Sequence, residues 1–162
     1  DLGKIEKKFD KVQYLFCKTE TEKSEVIDFV IKKKSEQYSR EGSWNFLELD
    51  NYRKFIKSII NNKDLQLNYL KINDNLVSAH YGFLMEKTLY YIFPVYDYKF
   101  KDIAPGNLLL YRLINDHLSK SNYYFDFTVG GEKFKEKWSN CTVKMSDNFL
   151  TNSFMGQIYY LF

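Results

Sequence analysis

Three consecutive apolar stretches, joined by turns of only two or three residues, constrain this chain more than any other part of it. Each stretch is rich in β-branched and aromatic side chains, which favour strands. The stretches are LQLNYLKI (65–72), LVSAHYGFLM (76–85) and TLYYIFPVY (88–96). Turns this short join antiparallel neighbours, so the region predicts an antiparallel meander inside a larger sheet.

Helical patterns precede and follow the meander. Apolar residues recur at helical spacing within 20–42 and 50–62, where Gly42 is expected to end the first helix and Asp50 to cap the second. The other predicted elements are a strand at 12–19, a helix at 106–119, a strand at 123–128, a short helix within 132–140 and two strands within 142–162. This order predicts an α/β (α+β) fold, with a mixed, mostly antiparallel sheet of about six to seven strands and about four helices on its two faces.

Length and composition indicate one globular domain. The chain has 162 residues, of which 44% are hydrophobic and 28% charged. We expect residues 12–162 to form this domain and residues 1–11 to be a charged lead-in. The net charge of +3 is too small to indicate a nucleic-acid partner. No stretch has the length of a transmembrane helix or the pattern of a signal peptide, so a cytoplasmic protein is expected.

Cysteines and histidines are few. Cys17 and Cys141 lie far apart and are expected to be reduced thiols. His80 and His117 are the two histidines, which excludes a His-rich metal centre, and no metal is predicted. His117 lies among polar positions late in a helix and is expected to face solvent.

The stretch LYYIFPVYDYKFKDIAPGNLLLYR (89–112) predicts a buried strand, a polar loop and the start of an apolar helix. Backbone N–H groups at such a helix start suit a phosphate-bearing ligand. Gly106 permits close backbone approach, Pro105 sets the turn, and Lys99 or Lys101 adds positive charge. The alternative is an ordinary strand-to-helix turn. Pro94, within the strand, marks either a bulge or a plain edge strand, because proline donates no ladder hydrogen bond.

The element order resembles the GNAT acyltransferase fold. The GNAT pyrophosphate loop has the pattern Gln/Arg-x-x-Gly-x-Gly/Ala, and here Lys101 replaces Gln/Arg, Ala104 replaces the first Gly, and Gly106 is retained. Three further blocks resemble the CelD-like, FemAB-related group of GNAT proteins, associated with cellulose and exopolysaccharide biosynthesis. They are VSAHYGF (77–83), residues 96–110 with the sequence APGNLLL at their end, and FDFTxGxxxFKxxW (125–138).

The resemblance implies an N-acyltransferase that uses acyl-CoA, most simply acetyl-CoA, without a metal. Pantetheine is then expected to pair with the backbone of the fourth strand, at Ile92, Phe93 and Val95. The pyrophosphate is expected at Lys101, Ala104, Pro105, Gly106, Asn107 and Leu108. The acceptor would be an amine of a sugar, amino acid or cell-envelope precursor. Proteins of this group often carry two GNAT-like halves, so the resemblance implies that the chain is the second half of a longer protein or pairs with another half.

His80 and Asp126 are the predicted catalytic residues. His80 shares a strand face with Ser78 and Gly82, where it either deprotonates the acceptor ammonium or is a half-buried polar residue bonded to a neighbour. Asp126 alternates with two phenylalanines in its strand. It is either a base or acceptor contact, or a structural carboxylate bonded to the Gly130-Gly131 turn or to Lys135.

Four residues are predicted to bind the acceptor. Tyr91 and Asp97 belong to the strand and loop described above, where they can share a cleft with His80 and Asp126. Trp44 is either a lid over the acceptor or part of a packed loop. Lys135 belongs to a basic turn that either meets an anionic group or is a solvated helix face.

Two other functions stay open. A FemAB-like transferase would use aminoacyl-tRNA, and it would need a larger basic surface. A non-catalytic GNAT-like module would only bind a partner. The altered pyrophosphate loop favours the second alternative, as does Phe134, where the group commonly has Tyr.

Overall fold

The computed structural model describes residue 9, residues 11–119 and residues 123–146. By their contacts, the residues divide into two compact units, Asp1–Gly130 and Gly131–Phe162. The first unit holds the sheet and the longer helices. That 12–162 is one domain after a lead-in at 1–11 stays a prediction.

Five strands form one sheet in the described part of the first unit. They are β1 (Val12–Phe16), β2 (Leu65–Ile72), β3 (Asn75–Met85), β4 (Thr88–Tyr96) and β5 (Tyr124–Asp126). The strand order is β1-β2-β3-β4-β5. The first four strands are antiparallel neighbours, whereas β4 and β5 are parallel. The predicted meander and the mixed, mostly antiparallel sheet are therefore confirmed.

Helices account for most of the rest of this unit. They are α1 (Glu20–Glu41), α2 (Asp50–Ser58) and α3 (Pro105–Leu118), with 3-10 helices at Phe46–Glu48 and Tyr98–Ile103. A capping box between Thr19 and Glu22 starts α1, and Gly42 ends it as predicted. No described helix is long and apolar enough to cross a membrane.

The prediction that Asp50 caps the second helix is wrong. Leu49 occupies the N-cap position, and Asp50 is the first helical residue. Its carboxylate pairs with Arg53 at 3.3 Å and with Lys54 at 2.6 Å. The Asp50 side chain therefore forms ion pairs with Arg53 and Lys54 instead of accepting hydrogen bonds from backbone N–H groups.

The helices cover both faces of the sheet. On one face, α1 and α2 pack on β2, β3 and β4 through a core that includes Val30, Tyr69 and Tyr81. On the other face, Leu108 of α3 packs on Leu70 and its neighbours. Helices on both faces were predicted, and this prediction is confirmed.

The prediction that His117 faces solvent is wrong. Only 6% of His117 is exposed. Its Nε2 atom lies 2.8 Å from the carbonyl oxygen of Tyr124 and 3.3 Å from that of Lys87. The imidazole thus links α3 to the first residue of β5, which explains why a polar residue occupies the buried side of this helix.

The second unit contains one short helix among its described residues, α4 (Lys133–Glu136). The sheet has fewer strands than the sequence predicted. Residues 142–146 form no strand, and the remainder of the two predicted tail strands, 147–162, lies outside the described residues.

Candidate functional site

β4 and β5 separate soon after they meet. Their ladder contains the pairs Thr88–Tyr124, Leu89–Phe125 and Tyr90–Asp126. Because β4 continues to Tyr96, its edge beyond Tyr90 has no strand partner among the described residues. We call this gap the β4–β5 opening. Unpaired backbone N–H and C=O groups along such an edge can bond to an extended ligand.

A β-bulge lies at the start of the β4–β5 opening. Tyr81 pairs with Phe93 and Gly82 pairs with Tyr91, so Ile92 has no partner on β3. The extra residue bends the strand and redirects its backbone groups. Of the two alternatives predicted for Pro94, a bulge or a plain edge strand, the bulge does not occur there, because Pro94 keeps a regular position opposite His80.

Gly82 is the residue that permits this bulge. A Cβ atom built on Gly82 would overlap the carbonyl oxygen of Tyr90 and lie 2.5 Å from His80 Nε2. Real Cβ atoms do not approach that closely, so any other residue at this position would displace β4 or the imidazole. Our sequence reasoning missed Gly82, although a glycine inside a strand pattern is a recognised signal of a bulge or a close backbone approach.

His80 is fully buried beside Gly82. None of its surface is exposed, and its ring stacks on Tyr91 with a centroid separation of 4.7 Å. Neither ring nitrogen makes a hydrogen bond of good geometry to a described residue. Burial lowers the pKa of His80 to about 3, and the nearby Tyr90 carbonyl opposes that shift only weakly. The imidazole is therefore neutral at ordinary pH and does not line an open cleft, which argues against its predicted catalytic role.

Tyr91 is also buried, with 4% of its surface exposed. Besides stacking on His80, its ring lies 5.5 Å from that of Phe125 and 5.9 Å from that of Phe127. Burial raises the pKa of the Tyr91 hydroxyl above its usual range. The structure thus places Tyr91 in an aromatic cluster behind the β4–β5 opening, and its predicted acceptor contact stays a prediction.

The loop after β4 positions the start of α3. Ala104 adopts the left-handed conformation with φ of 47° and is the residue before the helix. Its carbonyl accepts from the N–H groups of Asn107 and Leu108 at 3.0 and 3.2 Å. Since Pro105 has no N–H, Gly106 carries the first-turn donor for which no described residue provides an acceptor. A helix N-terminus with a free N–H is suited to an anion.

Gly106 is not required by the backbone geometry. A Cβ atom at this position would meet only the ring of Tyr96, at an ordinary contact distance of 3.6 Å. The other predicted loop residues differ in exposure: Pro105 and Leu108 are buried, while Lys101, Ala104 and Asn107 are exposed. The exposed backbone around Gly106 is thus the part of the loop that a ligand can approach.

Strand residues predicted to pair with the cofactor are arranged along the same edge. Val95 is buried, and its carbonyl accepts a hydrogen bond from the Ser78 hydroxyl at 2.9 Å. Phe93 is half-buried, and its ring lies 5.8 Å from that of Tyr81. The side chains of Val95 and Phe93 pack in the core, so these residues would contact a ligand through their backbone N–H and C=O groups.

Asp97 anchors the loop. Its carboxylate accepts from the Lys99 N–H at 3.1 Å and pairs with the buried Lys33 of α1 at 3.2 Å. Burial alone would raise the pKa of Asp97, but the Lys99 N–H and the Lys33 ammonium lower it below its usual value. These bonds give Asp97 a structural role, and its predicted acceptor contact stays a prediction.

Two cations converge on one aromatic ring in this loop. The guanidinium carbon of Arg40 lies 4.5 Å and the Lys101 ammonium 4.9 Å from the centroid of the Tyr98 ring. Arg40 comes from the last turn of α1 and was not identified from the sequence. Arg40 is far from this loop in the sequence, so no local sequence pattern predicts its contact with Tyr98.

Asp126 lies at the last β4–β5 pair and is exposed. Its Oδ1 atom accepts from the Thr128 N–H at 2.7 Å, which supports the tight bend where Thr128 has φ of 59°. The Thr128 hydroxyl lies 3.4 Å from the Tyr91 carbonyl oxygen. The structural hydrogen bond of Asp126 is therefore the one to the Thr128 N–H, and not one to the predicted Gly130-Gly131 turn. Its exposed carboxylate remains at the β4–β5 opening.

Trp44 and Lys135 are the remaining predicted acceptor residues. Trp44 is 72% exposed, and its ring lies 6.1 Å from that of Phe46, which in turn packs on Phe93 at the same distance. In the second unit, Lys135 pairs with Glu132 at 2.7 Å. No group of three or more His, Cys, Asp or Glu residues able to hold a metal occurs in the described part of the chain.

Comparison with known proteins assigns the family. A family model for the acetyltransferase (GNAT) domain matches residues 2–136. Because this match covers most of the chain, the protein belongs to the GNAT acetyltransferase family and is an acetyltransferase of the GNAT type. Enzymes of this type use acetyl-CoA. A search of curated proteins finds no match, and membership of the narrower CelD-like group stays a prediction.

Solved structures share the fold at low sequence identity. A possible acetyltransferase from Clostridium difficile 630 is 12% identical, with a TM-score of 0.66 over 87% of this chain and 99% of the other. A predicted acetyltransferase from Clostridium acetobutylicum, solved with acetyl-CoA, is 10% identical, with a TM-score of 0.58 over 90% and 98%. An aminoglycoside acetyltransferase from an uncultured soil metagenomic sample, solved with sisomicin, is 11% identical, with a TM-score of 0.57 over 88% and 96%.

Proposed function

We propose that the protein transfers an acetyl group from acetyl-CoA to an amine of a small molecule, and that acetyl-CoA lies in the β4–β5 opening. The observation that carries this proposal is that two features occur together. One is a bulged strand edge with no strand partner among the described residues, and the other is a helix N-terminus with a free N–H group. The edge begins at Tyr91, and the helix begins at Pro105. The first feature suits an extended, amide-bearing chain such as pantetheine, and the second suits a pyrophosphate.

The pyrophosphate would lie over Gly106. Its N–H points from the first turn of α3 without an acceptor among the described residues, and the absence of a side chain leaves the backbone accessible. Lys101 adds positive charge next to this turn. Arg40 adds a second positive charge from α1, beside the same Tyr98 ring. The family pattern has Gln/Arg where this chain has Lys101, and these two cations compensate for that replacement.

The acetyl carbonyl would lie at the bulge. In the reaction, the acceptor nitrogen forms a bond to the carbonyl carbon, the carbon–sulfur bond breaks, and the CoA sulfur leaves with the electron pair. Backbone N–H groups released from the ladder around Ile92 can stabilise the developing oxyanion. Binding both substrates beside each other supplies much of the remaining acceleration.

The acceptor ammonium must lose a proton before it attacks. Asp126 is the candidate base, because its carboxylate is exposed at the β4–β5 opening and retains an oxygen beyond the one bonded to Thr128. The burial of His80 makes it a poorer candidate. Asp126→Asn should lower kcat with little change in acetyl-CoA affinity, and an unchanged kcat would remove Asp126 from this role.

The acceptor class follows from the surroundings of Trp44. This exposed indole, together with Phe46, offers an aromatic surface to a ring-shaped molecule such as an amino sugar. The structurally similar protein solved with sisomicin is an aminoglycoside acetyltransferase, which supports an amine on a small, sugar-like acceptor. Amino-acid and cell-envelope precursors carry the same reactive group and belong in the same substrate screen.

Calorimetry with acetyl-CoA tests the proposed placement. Gly106→Asp places a carboxylate at the pyrophosphate position, and we expect affinity to fall by at least about a hundredfold because like charges brought together cost several kcal/mol. Gly131→Asp is the matched control, since a Cβ atom there meets nothing within 4 Å. Equal affinity in the two variants would contradict the placement. Absence of binding by the wild-type protein would instead favour a non-catalytic module.

A further inference from the structure

His80 and Gly82 form a buried contact that the acetyl-transfer chemistry does not itself require. The imidazole is completely buried and lies nearly parallel to the Tyr91 ring, at an interplanar angle of 15°. Burying a polar side chain without good hydrogen bonds costs stability. The ring stays stacked on Tyr91 in spite of that cost, which points to a role for its flat shape at this place in the strand.

Gly82 provides the space for the ring. The position of its missing Cβ is only 2.5 Å from His80 Nε2 and 2.7 Å from His80 Cε1. The carbonyl oxygen of Tyr90 occupies the other side of the same space. The imidazole, the bare backbone of Gly82 and the backbone of Tyr90 are thus in mutual contact.

This contact lies directly beside the bulge. Gly82 pairs with Tyr91, and the register shift that leaves Ile92 unpaired occurs between Tyr81 and Gly82. Tyr90 is the last β4 residue that pairs with β5. The two residues of β3 therefore touch β4 at the place where β4 bulges from β3 and its pairing with β5 ends.

We propose that His80 and Gly82 act as one positioning unit, in which the imidazole packed over the glycine backbone fixes the bulge at Ile92 and the start of the β4–β5 opening. His80 would thus act through the backbone that binds the thioester, without touching the substrate. This inference rests on the proposed acetyl-CoA site. It differs from a general-base role, because a base must lie within hydrogen-bond reach of the acceptor nitrogen, whereas the His80 ring is completely buried.

The pair His80→Ala and His80→Phe separates these roles. Alanine removes the ring, so we expect kcat/KM for acetyl-CoA to fall by about tenfold to a hundredfold, as misplacement of reacting groups can cost about 10²-fold. Phenylalanine keeps a flat ring that can stack on Tyr91, so it should recover most of the lost activity. If both variants are equally inactive while correctly folded, the nitrogen atoms are needed and the proposal is overturned.

A second measurement follows the bulge without any substrate. Amide hydrogen exchange at Ile92 and Phe93 should speed up in His80→Ala and stay near the wild-type rate in His80→Phe, while exchange in β1 remains unchanged in both. Unaltered exchange at the bulge in His80→Ala would also overturn the proposal. Gly131→Ala serves as a control for mutation at an uncrowded position.

Failure of this inference can be told apart from failure of the proposed function. If wild-type protein binds and turns over acetyl-CoA but His80→Ala has normal kcat and KM per folded molecule, only the positioning role is wrong. If wild-type protein does not bind acetyl-CoA, the hydrogen-exchange comparison still reports whether the ring holds the bulge.

Discussion

The two halves of the proposed acetyl-CoA site are built in different ways. The bulge is held by buried contacts among Gly82, His80 and the backbone of Tyr90, where an added atom would displace a neighbour. The loop that leads into α3 is held by local turns, with Asp97 bonding to Lys99 and Ala104 in a left-handed conformation, and by the ion pair of Asp97 with Lys33. Packing therefore fixes the reacting end of the site, whereas turn geometry and one ion pair fix the phosphate end.

This difference predicts where the chain tolerates change. Interiors are packed at near-crystalline density, so added atoms force neighbours to move. Exposed loops accept substitutions more readily, provided that their backbone conformation is kept. Such tolerance is consistent with the replacement of two positions of the GNAT loop pattern, at Lys101 and Ala104, while the glycine next to the proposed pyrophosphate position is retained.

The largest expected difference in stability between the two halves appears when one methyl group is added to each half in turn. Gly82→Ala should lower the free energy of unfolding by about 1–3 kcal/mol, because overpacking a tight interior has that cost. Gly106→Ala should change it by less than about 0.5 kcal/mol, since the new Cβ meets only the Tyr96 ring at 3.6 Å. Urea unfolding measures both values. Equal costs would show that the two halves do not differ as described.

An intermediate effect is expected from the ion pair that anchors the loop. Asp97→Asn should lower stability at pH 7 by about 0.5–1.5 kcal/mol, because it removes one charged hydrogen-bond partner from the buried Lys33, which keeps Glu36 as a partner at 3.0 Å. The folded-state pKa of Asp97 is lowered, so its contribution is complete above the unfolded pKa of about 3.9 and is lost as pH falls through the folded value. The difference between wild type and variant should therefore shrink in acid.

Thermal unfolding from pH 7 to pH 2 checks this expectation. Asp102→Asn is the matched control, because it removes an exposed carboxylate from the same loop. A stability difference for Asp97→Asn that stays constant down to pH 2 would show that the carboxylate's charge does not anchor the loop.

The smallest effect concerns the left-handed residue before α3. Ala104→Gly should raise stability by about 0.5 kcal/mol, since relief of about 1–2 kcal/mol of strain is partly offset by the greater freedom of glycine in the unfolded chain. Asn107→Gly, within the first turn of the same helix, should instead lower stability slightly. Denaturant midpoints measure both signs. A loss of stability in Ala104→Gly would mean that the loop is not strained at this residue.

The sequence patterns predicted the sheet well where local preference and tertiary structure agree. β2 and β4 have the predicted bounds, because continuous runs of β-branched and aromatic residues between short turns allow few other structures. Asp50 and His117 were mispredicted because each is used by a tertiary or side-chain contact: Asp50 by Arg53 and Lys54, and His117 by the carbonyl of Tyr124.

The candidate site was predictable only in part. The order of strand, loop and helix located the phosphate end, since the turn residues lie together in the sequence. Pro94 was predicted to mark either a bulge or a plain edge strand. The bulge lies at Ile92, and the signal that would have located it was Gly82 on the neighbouring strand. Contacts such as Lys33 with Asp97, or Arg40 with Tyr98, join residues far apart in the chain, and no local pattern encodes them.

Backbone amide chemical shifts during an acetyl-CoA titration test the central claim most directly. If acetyl-CoA lies in the β4–β5 opening, the largest shifts should occur together at Ile92 and Phe93 on the bulge and at Gly106 and Asn107 on the first turn of α3. Shifts at only one of these places, or mainly at distant residues such as Leu15 of β1, would contradict the proposal that the two halves form one acetyl-CoA site.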